Sequence, residues 1–315
     1  MVGVRDVEPR ILVPYPGPDG SGDVQDIFVY LRPETNGVVV ESAVLGAVRS
    51  FPGSGTNIHL IYLANIPGQF IVDHHIVERH YANKLYFAVH GKRAFTNKMR
   101  DAFEAKFLVS WAETRIVGSF EALRLFRCSP EKLFSRWVAA EDIVLIEGQT
   151  VKRFGDIYVV NYDIPALLHK NTRNTDIAVM LFRCRGEDGY FDDVVEAMRA
   201  ALIDRNMLGV DVPSTRAFHY SKGPFEQLLD ARDYLYRPDG TTVDLSELSF
   251  AAFAASRGFT AGDLRGIMEN PICLFEEPDG RCVEENLFAY TLNDTYEDAV
   301  KKAGTIRSQL WTHRF

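Results

Sequence analysis

Apolar and polar positions along the chain follow two spacings, which predict strands and amphipathic helices. Residues 26–31 form an apolar run typical of a buried strand, and residues 38–51 carry apolar side chains at the spacing of one helix face. Residues 58–63 again resemble a strand. In the second half, a strand-like run at residues 177–182 precedes a helical stretch at residues 190–206. This order favours a mixed α/β or α+β fold.

Short stretches of the second half resemble stretches of the first. Residues 26–31, Asp-Ile-Phe-Val-Tyr-Leu, are similar to residues 176–181, Asp-Ile-Ala-Val-Met-Leu. Further along, residues 118–123, Gly-Ser-Phe-Glu-Ala-Leu, are similar to residues 223–228, Gly-Pro-Phe-Glu-Gln-Leu. Self-similarity at corresponding places predicts an internal duplication of one architectural unit.

Each predicted half ends in short apolar segments separated by acidic, glycine-containing turns, a pattern that predicts a three-strand meander at residues 143–162 and 272–292. A chain of 315 residues exceeds the size at which single cores stop growing. The polar run at residues 169–175 is a candidate junction, and the segment Asp-Ile-Pro, residues 163–165, is an alternative one. We therefore expect two related domains, residues 1–165 and 166–315, each with a strand-helix-strand unit, further helices and a meander. Duplicated halves of this kind often hold a ligand cleft between them.

Composition and charge narrow the classes of partner. The hydrophobic share of 46% predicts a folded chain, and the net charge of −8 argues against general attraction to nucleic acid or to an anionic membrane. No apolar run approaches the roughly 20 residues of a membrane-spanning helix. Residues 1–10 lack the apolar run of a signal peptide. We therefore expect a cytoplasmic protein that binds neither membrane nor nucleic acid.

The four cysteines contain no C-x-x-C pair, and a chain of this length needs no disulfide framework. We expect buried free thiols, although Cys273 and Cys282 would be able to face each other across a hairpin.

The densest cluster of metal-capable side chains lies in the segment Asp-His-His-Ile-Val-Glu-Arg-His, residues 73–80. On a helix, His74 and Glu78 would lie one turn apart and would be able to share a divalent metal or a proton, with Asp73 and His80 as further ligands. The Asp-His-His sequence after an apolar run resembles one motif of the DHH phosphoesterases. That resemblance implies a divalent metal cofactor and phosphodiester hydrolysis. The alternative is a solvated helix face.

A second candidate site is the segment Phe-His-Tyr-Ser-Lys-Gly-Pro-Phe-Glu, residues 218–226. Ser221, Lys222 and Gly223 precede a predicted helix that opens with proline, so backbone N–H groups beside a lysine would bind a phosphate or carboxylate. The segment resembles the His-x-Ser segment of nucleoside diphosphate kinases, with His219 at the place of their phosphorylated histidine.

The strand end Leu-Arg-Pro-Glu, residues 31–34, is similar to the Lys-Pro-Asp strand end of the same kinases, with Arg32 in place of the lysine. The resemblance implies phosphoryl transfer, with His219, Arg32 and Glu34 as catalytic residues. The alternative is a well-capped structural helix beside a histidine that bonds within the fold.

A third candidate is the polar stretch after the predicted strand at residues 157–160, where His169 and Lys170 are candidate ligand-binding residues. Ligand groups of α/β proteins often follow a buried strand in this way. The same residues would also serve as the polar surface of a linker.

No motif in the sequence identifies a reaction, and the sequence leaves open whether the protein is an enzyme. The hypothesis they favour is a protein that binds a small anionic or phosphorylated ligand in a cleft between two halves, with phosphoester or phosphoryl-transfer chemistry. The alternative is a noncatalytic scaffold whose aromatic-rich meanders bind a protein partner.

Overall fold

A computed structural model describes residues 7–185 and 190–310, so most of the N-terminal segment 1–10 lies outside the described residues. The fold is mixed α/β, as the sequence predicted. The strands are β1 (Arg10–Val13), β2 (Val24–Leu31), β3 (Ile58–Ile66), β4 (Arg115–Gly118), β5 (Ile143–Ile146), β6 (Gln149–Phe154), β7 (Ile157–Val160), β8 (Ile177–Arg185), β9 (Phe218–Tyr220), β10 (Ile272–Glu276), β11 (Cys282–Asn286) and β12 (Ile306–Gln309). The α-helices are α1 (Val38–Ser50), α2 (Gly68–Asp73), α3 (Ile76–His80), α4 (Ala82–His90), α5 (Asn97–Phe107), α6 (Ser119–Phe126), α7 (Pro130–Ser135), α8 (Ile164–Lys170), α9 (Tyr190–Asp204), α10 (Pro224–Tyr234), α11 (Ser249–Ser256), α12 (Ala261–Glu269), α13 (Leu287–Tyr290) and α14 (Tyr296–Ala303).

The chain forms two compact units, each assembled from three separate segments. Unit 1 contains Met1–Ile76, Asn171–Arg265 and Thr291–Gly304, and unit 2 contains Val77–Lys170, Gly266–Tyr290 and Thr305–Phe315.

Unit 1 is built on a five-stranded sheet in the order β1-β3-β8-β2-β9, in which all neighbours are antiparallel. Helices α1 and α9 pack together on one face, and α10 and α11 pack against β2 on the other. Because both faces are covered, β2 and β8 read as nearly continuous apolar runs rather than as alternating ones. The elements β2-α1-β3 and β8-α9-β9 are two split βαβ arrangements whose first strands lie side by side.

Unit 2 contains two sheets of different order. One is four-stranded, β4-β7-β6-β5, with β4 parallel to β7 and the other pairs antiparallel, and the second is the three-stranded antiparallel sheet β11-β10-β12. The first predicted meander, β5 to β7, is confirmed. The second was placed wrongly, because Leu287–Tyr290 forms α13 and the third strand is β12.

The compact units do not follow the predicted halves 1–165 and 166–315. The expected junction at residues 169–175 does coincide with a unit boundary, at Lys170 and Asn171. However, the similar segments at residues 26–31 and 176–181 lie in the neighbouring strands β2 and β8, which pair within one sheet. Because this pairing joins residues about 150 positions apart, both predicted halves contribute to unit 1.

Two close main-chain features shape the helical part of unit 2 and the approach to it. Gly118, at the end of β4, packs so closely that an added Cβ would lie 2.1 Å from the Ala88 carbonyl oxygen, so this position requires glycine. His75 has a left-handed backbone and lies between α2 and α3, which are therefore separate helices.

No described helix has the length and apolar character needed to cross a membrane. Among the described cysteines, Cys184 and Cys273 are buried free thiols as predicted, whereas Cys128 is half-buried and Cys282 is exposed. Across the β10–β11 pair, Cys273 lies opposite Glu285 and Cys282 lies opposite Glu276, so these two cysteines do not face each other.

Candidate functional site

A cleft of about 110 Å³ lies within unit 1, where β2 and its preceding loop meet the end of β9. Three of the predicted ligand-binding residues line it: Ser221, Lys222 and Gly223. The opposite walls come from the loop before β2, the start of α9 and the turn before α14. The polar side chains on these walls are Asp23, Gln25, Asp192, Asn293, Asp294 and Thr295.

Main-chain contacts fix the segment 221–223 in place. The Ser221 N–H donates to the Phe28 carbonyl at 3.0 Å, and the Asn293 N–H donates to the Lys222 carbonyl at 2.7 Å. A Cβ at Gly223 would lie 2.4 Å from the Thr291 carbonyl oxygen, so this position requires glycine for packing. The segment is therefore held between β2 and the turn before α14, and Lys222 is presented by a rigid main chain.

The Lys222 ammonium is a cation without an ion pair among the described residues. Its charged group lies 5.6 Å from the centroid of the Tyr220 ring, a cation–π contact, and its backbone makes hydrogen bonds of its own. By contrast, two lining carboxylates have cationic partners, Asp23 with Arg185 at 3.1 Å and Asp294 with Lys302 at 2.8 Å. Lys222 is thus the cationic group on the cleft wall that is available to bind an anion.

Asp192 provides a hydrogen-bond acceptor on the same cleft. Its Oδ1 accepts a hydrogen bond from the Tyr220 hydroxyl at 3.3 Å. Burial and the Asp192 charge raise the pKa of Tyr220 to about 12, so the phenol stays protonated and donates at neutral pH. Burial also raises the pKa of the Cys184 thiol on the cleft wall well above its usual range, so Cys184 is not a thiolate nucleophile at neutral pH.

One backbone donor before α10, in the segment that the sequence suggested as an anion site, is already used by the fold. The Lys222 N–H donates to Glu226 Oε2 at 2.7 Å, so a carboxylate of the protein already occupies this donor. A carboxylate in the first turn also complements the helix dipole. The charged group that this segment presents to an anion is the Lys222 ammonium, which lines the cleft.

Ser221 and His219 share one buried carboxylate. Ser221 Oγ donates to Asp230 Oδ2 at 2.6 Å and accepts from the Phe28 N–H at 3.1 Å, while His219 Nε2 lies 3.3 Å from the same Asp230 oxygen. Because the fold uses the only donor of the Ser221 hydroxyl and one of its two acceptor sites, Ser221 links β2 to α10. His219 also stacks on Tyr30, with ring centroids 4.5 Å apart, and it is not among the residues that line the cleft.

Arg32 and His219, which the sequence assigned to a common site, both contact Tyr30. The Arg32 guanidinium carbon lies 5.9 Å from the Tyr30 ring centroid, and Arg32 Nε donates to the Thr215 carbonyl at 3.2 Å. Strands β2 and β9 pair directly. They are far apart in the chain because the segment between them includes residues 77–170, which belong to unit 2. Glu34 lies exposed in the turn after β2.

The predicted metal ligands are not arranged as one site. The helix expected to carry them ends at Asp73 and a new helix begins at Ile76, so His74 and Glu78 do not lie one turn apart on a single helix. Asp73 forms an ion pair with Arg173, and His74 stacks on Phe70 with ring centroids 4.1 Å apart. His80, at the end of α3, is buried. In residues 7–185 and 190–310, no group of three or more His, Cys, Asp or Glu side chains is placed to hold a metal ion.

The third predicted site lies at the end of α8, which belongs to unit 2. His169 Nε2 lies 3.4 Å from Glu131 Oε1, with both side chains well exposed, and the Lys170 ammonium lies 5.2 Å from the Phe134 ring centroid. These contacts are surface interactions of the unit.

The sequence did not identify Asp192 or Asp294 as site residues. They lie in segments far apart in the chain from Lys222, and neither stands in a motif that marks it. The chain matches no protein-family model, no curated protein and no solved structure, so geometry and residue chemistry alone bear on its function.

Proposed function

We propose that unit 1 binds a small phosphorylated ligand in its cleft, with the phosphate at Lys222. The observation that carries the proposal is the Lys222 ammonium, which lines a formed cleft and has no carboxylate partner among the described residues. A lysine ammonium binds phosphate oxygens through charge-assisted hydrogen bonds, which are stronger than neutral ones. The rigid main chain of residues 221–223 would keep the cost of ordering this group low.

The volume of the cleft and the other polar side chains that line it define the class of ligand further. One water molecule needs about 10–15 Å³ of such volume, so a cleft of about 110 Å³ has room for a phosphate group and a few attached atoms. Asp192 would accept hydrogen bonds from hydroxyl or amine groups of the ligand, because a carboxylate has several acceptor sites. A sugar phosphate or a nucleotide has both kinds of group.

A thermal-shift series with matched pairs of compounds tests this proposal. The pairs are adenosine with AMP and ribose with ribose 5-phosphate, and inorganic phosphate is measured alone. We expect the phosphorylated member of at least one pair to raise the melting temperature, because a ligand that binds only the folded state stabilises it by mass action. At 100 times the dissociation constant the gain is about 2.7 kcal/mol. No shift with any phosphorylated compound would favour the scaffold hypothesis.

Two lysine variants locate the binding. Lys222→Ala removes the proposed phosphate contact, and we expect it to abolish the ligand-dependent shift while the unliganded protein keeps its melting temperature within a few degrees. Lys301→Ala, at an exposed position on α14, removes the same charge elsewhere in unit 1 and serves as the matched control. Equal shifts in the wild type and in Lys222→Ala would refute the assignment of Lys222.

Phosphoryl transfer at His219 is a second candidate function. It is supported by the pairing of β2 with β9, which brings Arg32 and His219 to the same tyrosine, and by Asp230, which orients the imidazole through Nε2. In this step the bond between the γ-phosphorus and the β–γ bridging oxygen of a nucleoside triphosphate would break, and a P–N bond to the His219 imidazole would form. The leaving group would be the nucleoside diphosphate. Acid-labile labelling from a nucleotide with a labelled γ-phosphate, present in the wild type and absent in His219→Gln, is the expected result. An unlabelled wild type would exclude this step.

A further inference from the structure

Strand β5 forms an edge of the four-stranded sheet of unit 2. Its sequence, Ile-Val-Leu-Ile, is entirely aliphatic, with no charge or proline. Edge strands of soluble proteins are usually protected by charged residues, prolines, bulges or short length, and of these β5 has only its short length of four residues. The two edges of the neighbouring three-stranded sheet show this protection: β11 carries Glu284 and Glu285, and β12 carries Arg307. The β5 edge is therefore open to strand pairing.

The hairpin geometry identifies which backbone groups of β5 face outward. The turn between β5 and β6 has two residues, Glu147 and Gly148, both with positive φ, which is the arrangement of a type I′ hairpin. In such a hairpin the residues flanking the turn form a hydrogen-bonded pair, and hydrogen-bonded pairs alternate along the strands. Ile146 and Val144 thus bond to β6. The N–H and C=O of Leu145 point away from β6, and no hydrogen bond to another described residue uses them.

Large apolar side chains accompany this open backbone. The Leu145 side chain is 67% exposed, and Trp137, in the segment that leads to β5, is 82% exposed. Lys152 lies opposite Ile143 in the β5–β6 pair and donates to the Arg136 carbonyl, which places the chain at Trp137 beside this part of the strand pair. An aromatic side chain at the rim of an open edge adds contact area for a paired strand.

We propose that β5 pairs with β5 of a second copy of the chain, antiparallel about a two-fold axis at Leu145. The outward N–H of each Leu145 would donate to the C=O of the other, forming two hydrogen bonds. An identical partner fits because a two-fold interface brings the same residues together, and β5 has no charges that would repel. The edges of β11 and β12 would place like charges opposite each other in the same arrangement.

The proposed contact is short, so the dimer should be weak and dependent on concentration. Four-residue strands joined by few hydrogen bonds bury much less than the 1,200–2,000 Å² of total surface typical of stable protein complexes. We expect sedimentation equilibrium to give the monomer mass of 35.6 kDa at low micromolar concentration. As the concentration approaches the millimolar range, the average mass should rise towards twice that value.

Three variants test the interface. Leu145→Lys places two like charges opposite each other and should keep the protein monomeric throughout the concentration range. Val210→Lys, at an exposed position of 69% in unit 1, adds the same charge elsewhere and should dimerise as the wild type does. Leu145→Pro removes an outward N–H without breaking a hydrogen bond between β5 and β6, so it should lose the dimer while far-UV circular dichroism shows an intact fold.

A wild type that stays monomeric at about 1 mM would overturn the proposal. A Leu145→Lys protein that dimerises as well as the Val210→Lys control would overturn it too, because the self-association would then use another surface. Both readouts are independent of ligand binding in unit 1.

Discussion

Removal of the Asp26 carboxylate should destabilise unit 1 strongly. Asp26 and Arg183 lie directly opposite each other on β2 and β8, and the guanidinium donates to both carboxylate oxygens, at 2.7 and 2.8 Å. The side chains are only 8% and 14% exposed. The same network includes the Ser249 hydroxyl, which donates to Asp26, and the Gly17 carbonyl, which accepts from Arg183. The pair therefore connects the central strands to the loop before β2.

The size of the effect follows from burial. Breaking a buried ion pair by removing one partner costs about 3–5 kcal/mol, because the remaining charge is left uncompensated. The pair between Asp19 and Arg185 is more exposed, at 22% and 45% of the side chains, so Asp19→Ala should cost less than about 1 kcal/mol. The double variant that combines Asp26→Ala with Arg183→Ala should lose less unfolding free energy than the sum of the losses in the two single variants.

The assay must report unit 1 separately from unit 2. The described tryptophans, Trp111 and Trp137, both lie in unit 2, so tryptophan fluorescence would miss the effect. Each unit does contain a buried free thiol, Cys184 in unit 1 and Cys273 in unit 2. Pulsed alkylation in increasing urea, quantified for each cysteine by mass spectrometry, gives an unfolding midpoint for each unit.

With an m-value of about 2–3 kcal/mol/M, a loss of about 3–5 kcal/mol in Asp26→Ala should lower the urea midpoint for Cys184 by about 1–2.5 M. The midpoint for Cys273 should change much less. A Cys184 midpoint within about 0.3 M of the wild type, or equal to that of Asp19→Ala, would refute the assignment of the Asp26–Arg183 pair as a major source of unit 1 stability.

Three further substitutions give results of different sign. Gly223→Ala places a Cβ 2.4 Å from the Thr291 carbonyl and should lower both the Cys184 midpoint and ligand binding; a neutral result would contradict the packing argument. Gly266→Ala, with open space at its Cβ inside α12, should stabilise by about 0.5–1 kcal/mol in thermal unfolding, and a loss would contradict this. Burial raises the pKa of Glu284, so the folded state holds the Glu284 proton more tightly than the unfolded state does. The free energy of unfolding therefore falls as the pH rises through the folded-state pKa of this group. Glu284→Gln should therefore be more stable than the wild type at pH 7 and equal to it near pH 4 in urea unfolding followed by Trp111 fluorescence, and a constant difference at both pH values would contradict the linkage.

Local structure was largely predictable because local chemistry decides it. The strand at residues 26–31 and the helix at residues 38–51 followed from apolar spacing. A serine before a proline is typical of a helix start, and at α7 the Ser129 Oγ accepts a hydrogen bond from the Lys132 N–H at 3.2 Å.

Strand pairing was not predictable in the same way, because pairing joins residues that are distant in the chain. Similar segments in the two halves suggested separate domains, whereas β2 and β8 pair in one sheet. The predicted internal duplication stays a prediction. Part of the site was found because Lys222 and Gly223 stand together before a helix, but Asp192 and Asp294 reach the cleft from other segments.

The central claim is that a phosphorylated ligand occupies the cleft of unit 1 at Lys222. Hydrogen–deuterium exchange with and without the best phosphorylated compound of the thermal-shift series tests it most directly. We predict slower exchange in three of the segments that line the cleft, residues 22–27, 220–227 and 293–295, and no such change in Lys222→Ala. Slower exchange confined to other parts of the chain would contradict binding in this cleft. The same protection in Lys222→Ala would contradict the role of Lys222.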